Sequence, residues 1–143
     1  MRRSFVLALL AYLVPTFILG YVWHLRLFAD LYHELGIYRP DVIIPFGFLS
    51  MLLQGSIFAA TYPRLVDRPS SLSGAMRFAA MAALLSWTFT TLAVAAKHPM
   101  TSVSAFVGIE TGFTVVQFLL VGPLLALSAR ANSPSARFAT ASE

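Results

Sequence analysis

Residues 101–128 read TSVSAFVGIETGFTVVQFLLVGPLLALS, an apolar run whose only charged side chain is Glu110. A helix crosses the hydrocarbon core of a bilayer in about 20 residues, so this stretch is long enough to span it. Three further runs of the same kind, residues 4–25, 42–62 and 74–96, precede it. In lipid a backbone can satisfy its hydrogen bonds only within helices or in a closed barrel, and continuous apolar runs of this length point to helices. The expected fold is therefore all-α: an integral membrane four-helix bundle over residues 1–128, followed by a disordered cytoplasmic tail over residues 129–143 that is built of Ala, Ser, Asn and Pro with few apolar anchors.

Composition leaves little room for anything else. The chain has 143 residues, 58% hydrophobic and 11% charged, so four spans consume nearly all of it and no soluble domain of ordinary size fits beside them. The net charge of +4 comes from residues that flank the spans and forms no basic cluster on a soluble face, so nucleic acid is not an expected partner; the lipid bilayer is. There are no cysteines, which excludes disulfides, thiolate metal sites and cysteine nucleophiles. Arg2, Arg3, Arg64, Arg68, Arg77, Arg130 and Arg137 fall on one side of the predicted spans, against Arg26, Arg39 and Lys97 on the other. The excess of cationic residues in cytoplasmic loops then places both termini inside, in the inner membrane. The start, Met1-Arg2-Arg3 and an apolar run, is similar to a signal peptide. Yet it is longer than such a segment and has no small-residue cleavage site before Tyr21, Trp23 and His24, so it reads as a retained first span.

The connections carry recognisable punctuation. Pro15 near the middle of the first span predicts a kink. Residues 24–35 read as one short amphipathic helix at the outer interface, with Leu27, Phe28, Leu31 and Leu35 on one side, Arg26, Asp30 and His33 on the other, and Gly36 as its stop. Pro45 suits a helix start, Tyr62-Pro63 a helix end, and residues 67–74 a turn-rich loop. Lys97-His98-Pro99 makes a tight hairpin into the last span. Ala79, Ala83, Ser86, Thr90 and Ala93 form a row of small residues on the third span, the pattern by which helices approach one another in lipid. On the fourth, Glu110, Thr114 and Gln117 line one face while Gly108 and Gly112 lie nearly opposite, which points to a central position or an oligomer contact.

Glu110 is the foremost candidate for chemistry. A carboxyl at that depth costs at least ~2.5 kcal/mol to insert unless it is paired, protonated or hydrated. It is read either as an ion or proton site, or as a carboxyl bracing the helices with Thr114, Gln117 or Gln54 as its partner. Gln54 and Gln117, both deep in their spans, are expected to hydrogen-bond across the helices or to orient a ligand. His24 ends the first span and points toward lipid or protein, and it completes the candidate ligand- or ion-binding set. Asp30, His33 and Glu34 stand at i, i+3 and i+4, where a divalent metal is conceivable, but an exposed face with an Arg26–Asp30 ion pair is the simpler reading, and no metal site is assigned. No cofactor is expected either, because no other span offers a second histidine at the depth of His24 for haem. Phosphate-binding glycine loops and GxSxG motifs are missing, and no intramembrane serine has a histidine spaced to activate it, so no catalytic residue is assigned and the chain does not read as an enzyme.

Three features resemble a family of small four-helix bacterial membrane proteins of unknown function. They are Gly20-Tyr21-Val22-Trp23 at the end of the first span, the amphipathic segment closing in Glu34-Leu35-Gly36-Ile37, and a final span that carries polar residues and is entered from a short hairpin. The chain has Trp23-His24 where such sequences often carry tryptophan followed by tyrosine. The resemblance implies the four-span architecture and no particular activity. The functional expectation is binding or passage of a small solute or ion through a polar pocket near Glu110, with a homo-oligomer needed for transport. The alternative is a non-catalytic accessory or assembly subunit of a larger membrane complex, held through the Gly108/Gly112 face. A metal sensor or carrier built on Asp30, His33 and Glu34 is the third and weakest option.

Overall fold

The computed structural model describes residues 2–131, and among these there are helices and no strands. Helix α1 spans Arg2–Val22 and passes without a break through Pro15 into a π-helical turn, Trp23–Leu27. After a short helix α2, Ala29–Glu34, come α3, Ile44–Leu65, and α4, Leu72–Trp87. A second π-helical turn, Thr88–Leu92, leads into α5, Ala93–Ala95, and the chain closes with α6, Val103–Arg130. Four helical stretches are long and apolar enough to cross a membrane: Arg3–Leu27, Ile44–Leu65, Leu72–Ala95 and Val103–Arg130.

Most element ends follow local chemistry. Ser71 and Ser102 each cap a helix, accepting from the backbone N–H of Gly74 and Ala105. Gly36 ends α2 in the left-handed conformation, φ 70°, where a Cβ is strained. Two sequence expectations need correction. Pro63 does not terminate α3; the helix runs two residues further, with the Tyr62 hydroxyl donating to the Pro69 carbonyl and tying down the following turn. Residues 24–35 are not one amphipathic helix, since 23–27 prolong α1 as a π turn closed by the Phe28 N–H donating to the Trp23 carbonyl. A π turn holds more residues than an α turn, so the face predicted from an unbroken 3.6-residue period is shifted. Leu27 is left 66% exposed, and Tyr32 with Leu35 forms the buried side of α2. The tail expected from Ala129 onward is helical as far as Arg130; residues 132–143 lie outside the described residues.

The long helices are ordered α3, α1, α6, α4 by their contacts: α1 packs on α3 and α6, α6 packs on α1 and α4, and α3 barely touches α4. The end that carries the termini is filled. There Phe58 of α3 meets Tyr12 of α1, Phe78 of α4 and Phe118 of α6 edge-to-face, with ring centroids 5.1, 5.6 and 6.2 Å apart. Such pairs contribute about 0.5–1.5 kcal/mol each beyond their burial. The opposite end, which carries α2, is open: every residue of 41–50 at the start of α3 is exposed. Outward faces throughout are apolar, with Phe46, Leu53, Ile57, Leu84, Phe89 and Leu119 all more than half exposed.

Small residues set the helix spacing where contact is closest. A Cβ on Gly55 would lie 2.8 Å from Tyr12 Cδ1 and 2.9 Å from Leu9 Cδ1. Tyr12 is fully buried and hydrogen-bonded, so its ring cannot give way. Gly55→Ala is therefore expected to force α1 and α3 apart and destabilise the fold by about 1–3 kcal/mol. Gly47→Ala, where a Cβ meets nothing within 4 Å, is the control expected to unfold like wild type. Equal thermal stability of the two variants in detergent would disprove the close contact.

Candidate functional site

On α6, Glu110, Thr114 and Gln117 follow one another at i, i+4 and i+7, so they share a face, and all three are buried. That face meets two groups of polar side chains, one near the α2 end and one deeper.

The first group surrounds the Glu110 carboxyl, which is 8% exposed. The Tyr32 hydroxyl of α2 donates to Glu110 Oε1 at 2.5 Å, and His24 Nε2 lies 3.4 Å from the same oxygen. His24 is oriented by its own helix: Nδ1 is 3.0 Å from the Gly20 carbonyl oxygen. A carbonyl can only accept, so Nδ1 carries a hydrogen there. Nε2 then faces the carboxyl oxygen, close enough for an ion pair or a shared proton. Tyr32 is wholly buried, and Tyr38 stacks on it with centroids 4.7 Å apart and planes at 6°. The Thr101 backbone N–H and hydroxyl donate to the Leu35 and Glu34 carbonyls, which fastens the end of α2 beside the start of α6. Burial pushes the Tyr32 phenol well above the ordinary tyrosine range, and the bond to Glu110 and its charge push it further. Tyr38 is raised in the same direction, first by burial and then by the Glu110 charge.

The second group is a layer joining the four long helices. The Tyr12 hydroxyl donates to Gln54 Oε1 at 2.5 Å, and Gln54 Nε2 donates to Ser86 Oγ at 2.8 Å. Gln117 Nε2 reaches Thr16 Oγ1 at 3.2 Å and Tyr12 at 3.4 Å. Every hydrogen-bonding side chain in this layer is neutral.

Between the two groups lies a cavity of about 720 Å³. Its walls come from α1 and its π turn, the outer half of α3, α6, and residues 37–43; α4 supplies only Ser86 and Thr90. Lining side chains extend no further toward the termini than Tyr12, Gln54, Ser86 and Gln117, so that layer is the floor. Apolar and aromatic side chains, among them Phe17, Phe48, Met51 and Phe113, make up the rest. An apolar cavity with a few convergent polar groups is the usual form of a small-molecule site.

No family model matches the chain. No curated protein and no solved structure matches it either. Function must therefore be argued from the geometry itself.

All five sequence candidates line the cavity, in two separate places. His24 and Glu110 meet; Gln54 and Gln117 meet through Tyr12 and not directly; Thr114 lies between the groups on α6. Glu110 takes its partners from α1 and α2, in place of the expected Thr114, Gln117 or Gln54. His24 turns inward, away from the Leu27 side, and packs edge-on against Phe113 at 4.4 Å. The expected Arg26–Asp30 pair is replaced by Arg26 reaching back to the Tyr21 hydroxyl at 2.8 and 3.1 Å, because the π turn breaks the i, i+4 register. Asp30, His33 and Glu34 do not converge: among the described residues no three His, Asp or Glu side chains are grouped for a metal. A Cβ on Gly112 would lie 3.4 Å from Trp23 Cζ2 of the same chain, whereas one on Gly108 would meet nothing within 4 Å. Tyr12, Thr16, Tyr32 and Tyr38 escaped the sequence reading, and Ser86 was expected only in the row of small residues on the third span. Tyr12 and Thr16 did carry a signal, being at i, i+4 on the face that ends at Gly20 and His24.

Tyrosine ionisation tests the first group. In an absorbance titration of the detergent-solubilised protein, Tyr32 and Tyr38 are expected to ionise above the ordinary value near 10. Glu110→Gln should move both downward, since it removes a negative charge but leaves the burial. Because the folded state holds these protons more tightly, their contribution to stability is full below about pH 10 and is lost as pH rises above it. Spectra that lose an ordinary tyrosine transition near pH 10 in Tyr32→Phe would contradict the arrangement.

Proposed function

We propose that this is a multi-pass inner-membrane protein, with both termini in the cytoplasm, that binds a small molecule in the cavity between α1, α3 and α6. The observation that carries this reading is a buried imidazole–carboxyl pair, His24–Glu110, set in the wall of a 720 Å³ cavity whose floor is neutral and hydrogen-bonding. An ionisable group inside a membrane helix is costly unless it is partnered, and it marks a functional site by default. Apolar outward faces on all four long helices support a bilayer as the solvent, since a water-soluble monomer rarely exposes so much contiguous apolar surface. The distribution of arginines over the connecting segments supports the orientation, which places the cavity in the outer half of the protein.

In this reading Glu110 and His24 hold a proton that a ligand can engage, while Thr114, Gln117 and Gln54 orient the ligand from the side and floor. Binding is favoured over catalysis because the hydroxyl that meets the pair is the Tyr32 phenol, which burial keeps protonated and so a poor nucleophile. It is favoured over a channel because Tyr12, Phe58, Phe78 and Phe118 fill the molecule below the floor. Translocation by one chain would require that aromatic layer to open, so transport calls for an assembly of copies or partners. One observation favours the accessory-subunit reading: residues 42–50 of α3 and its approach are apolar and exposed, and Gly108 on α6 has open space, both of which suit a neighbouring membrane helix.

Mild-detergent extraction followed by native mass spectrometry separates the two. Wild type is expected to retain a small-molecule adduct, and Glu110→Gln to lower its occupancy at least tenfold, in line with about 1.5–3 kcal/mol for a hydrogen bond to a charged group. Wild type that carries no adduct and runs only with larger subunits, unaffected by Glu110→Gln but dispersed by Gly108→Leu, would replace the binding reading with the accessory one.

A further inference from the structure

The cavity has a second character besides its polar pair: it is neutral, walled by rings, and open at the side. These properties narrow the chemistry of what it can hold.

Charge comes first. His24 and Glu110 face one another at 3.4 Å, where each can offset the other's charge, and Tyr12, Thr16, Gln54, Ser86, Thr90 and Gln117 are uncharged. Arg39, the remaining charged group on the lining, is paired with Asp41 at 3.2 Å. A cationic, anionic or phosphorylated head would enter without a counter-charge and lose its hydration, at a cost of several kcal/mol. The head is therefore uncharged and hydrogen-bonding. Shape comes second. Phe17, Tyr21, Tyr38, Phe48, Phe113 and Tyr12 all line the space, and ring faces and edges suit a flat ring better than a flexible chain or a sugar. Spacing comes third. Glu110 and Gln117 are seven residues apart on α6, a rise of about 10 Å, so the two polar groups stand on opposite sides of the cavity. A six-membered ring with an oxygen on each of two opposite edges presents an acceptor toward each layer.

The route of entry is the fourth point. At the α2 end Ile37, Tyr38, Val42 and Ile43 lie across the opening, held by Tyr38 on Tyr32 and Tyr32 on Glu110. The flank is not covered. Helices α3 and α4 scarcely meet, the Gln54–Ser86 bond bridges them at the floor, and above it the α3 side chains as far as Ser50 are exposed. That gap lies between helices whose outward side chains are apolar, among them Phe46 and Leu53 of α3 and Leu84 of α4.

Resting on the binding reading above, we infer that the ligand is an uncharged, membrane-soluble ring compound of the quinone class, held between the Glu110–His24 pair and the Tyr12–Gln54–Gln117 layer, with its hydrocarbon tail leaving between α3 and α4. Only binding is claimed: the ring oxygens accept from the pair at one edge and from the glutamine layer at the other.

The test uses the full chain in nanodiscs and a decyl-substituted benzoquinone as probe, read by quenching of tryptophan fluorescence. Trp23 packs on Gly112 and Trp87 donates to Thr111, so both indoles sit beside helices that wall the cavity. Saturable quenching is expected. Gly47→Phe and, as a second plug, Ser50→Phe should weaken it at least tenfold, because both positions line the cavity and the Gly47 Cβ would meet open space and so does not threaten the fold. Leu53→Phe, on the same helix but outside the lining, should stay within twofold of wild type. The same ring without its decyl chain should bind at least tenfold more weakly. Linear, unsaturable quenching, or equal affinity in wild type and both plugged variants, overturns the inference. Native mass spectrometry of the same sample tells its failure from that of the broader reading. A water-soluble adduct that is lost in Glu110→Gln but not displaced by the quinone leaves the cavity as a binding site and discards the lipophilic ligand. No adduct and no saturable quenching discards both.

Discussion

One carboxyl in an otherwise apolar helix constrains much of the α2 end of this molecule. Glu110 cannot be left without partners in a low-dielectric interior, and the groups that satisfy it are not on its own helix or on the neighbour expected to serve it. His24 comes from the π turn after α1 and Tyr32 from the short helix that follows. Their convergence pulls the chain back over the start of α6. The π turn at Trp23–Leu27 makes that return possible, ending α1 with a wider loop of backbone just after His24 has been anchored to Gly20. Thr101 then fastens α2 from the other side. The cap on the cavity, including Tyr38, follows from these contacts.

Deeper in the molecule a different interaction governs. The Tyr12 hydroxyl stands between two glutamines, and through Gln54 and Ser86 it links α1, α3, α6 and α4 in one neutral layer. Beneath it Phe58 and the rings around it exclude space and solvent. The polar layer and the aromatic layer are adjacent because Tyr12 belongs to both, its ring packed on Phe58 and its hydroxyl in the network. Gly55 lets α3 come close enough for this double role. The helices therefore close at one end and splay at the other, and the cavity is the volume left between the polar layer and Glu110.

The four apolar segments were legible without any structure, since length and hydrophobicity of a span depend on the residues alone. So were the glycine stop at Gly36, and the shared face of Glu110, Thr114 and Gln117, which needs only helical spacing. Pro63 misled because a proline near a helix end removes a bond that the following turn, pinned by Tyr62, compensates. The segment 24–35 misled for a related reason: periodicity assumes a constant turn, and one π turn reset its phase.

The sequence by itself determined that four segments are long, apolar helices, which face of the last one carries polar groups, and that Glu110 demands a partner. Which residues answer that demand was decided by the tertiary structure alone. Tyr32 lies 78 positions from Glu110 and Gln117 lies 105 from Tyr12, and no local rule of spacing links groups that only the crossing of helices brings within hydrogen-bond reach. The cavity belongs to the same class of fact. It exists because α3 stays beside α1, with Phe17 on Phe48 at the α2 end, but parts from α4 above the Gln54–Ser86 bond, a property of how the helices are arranged and not of any one of them.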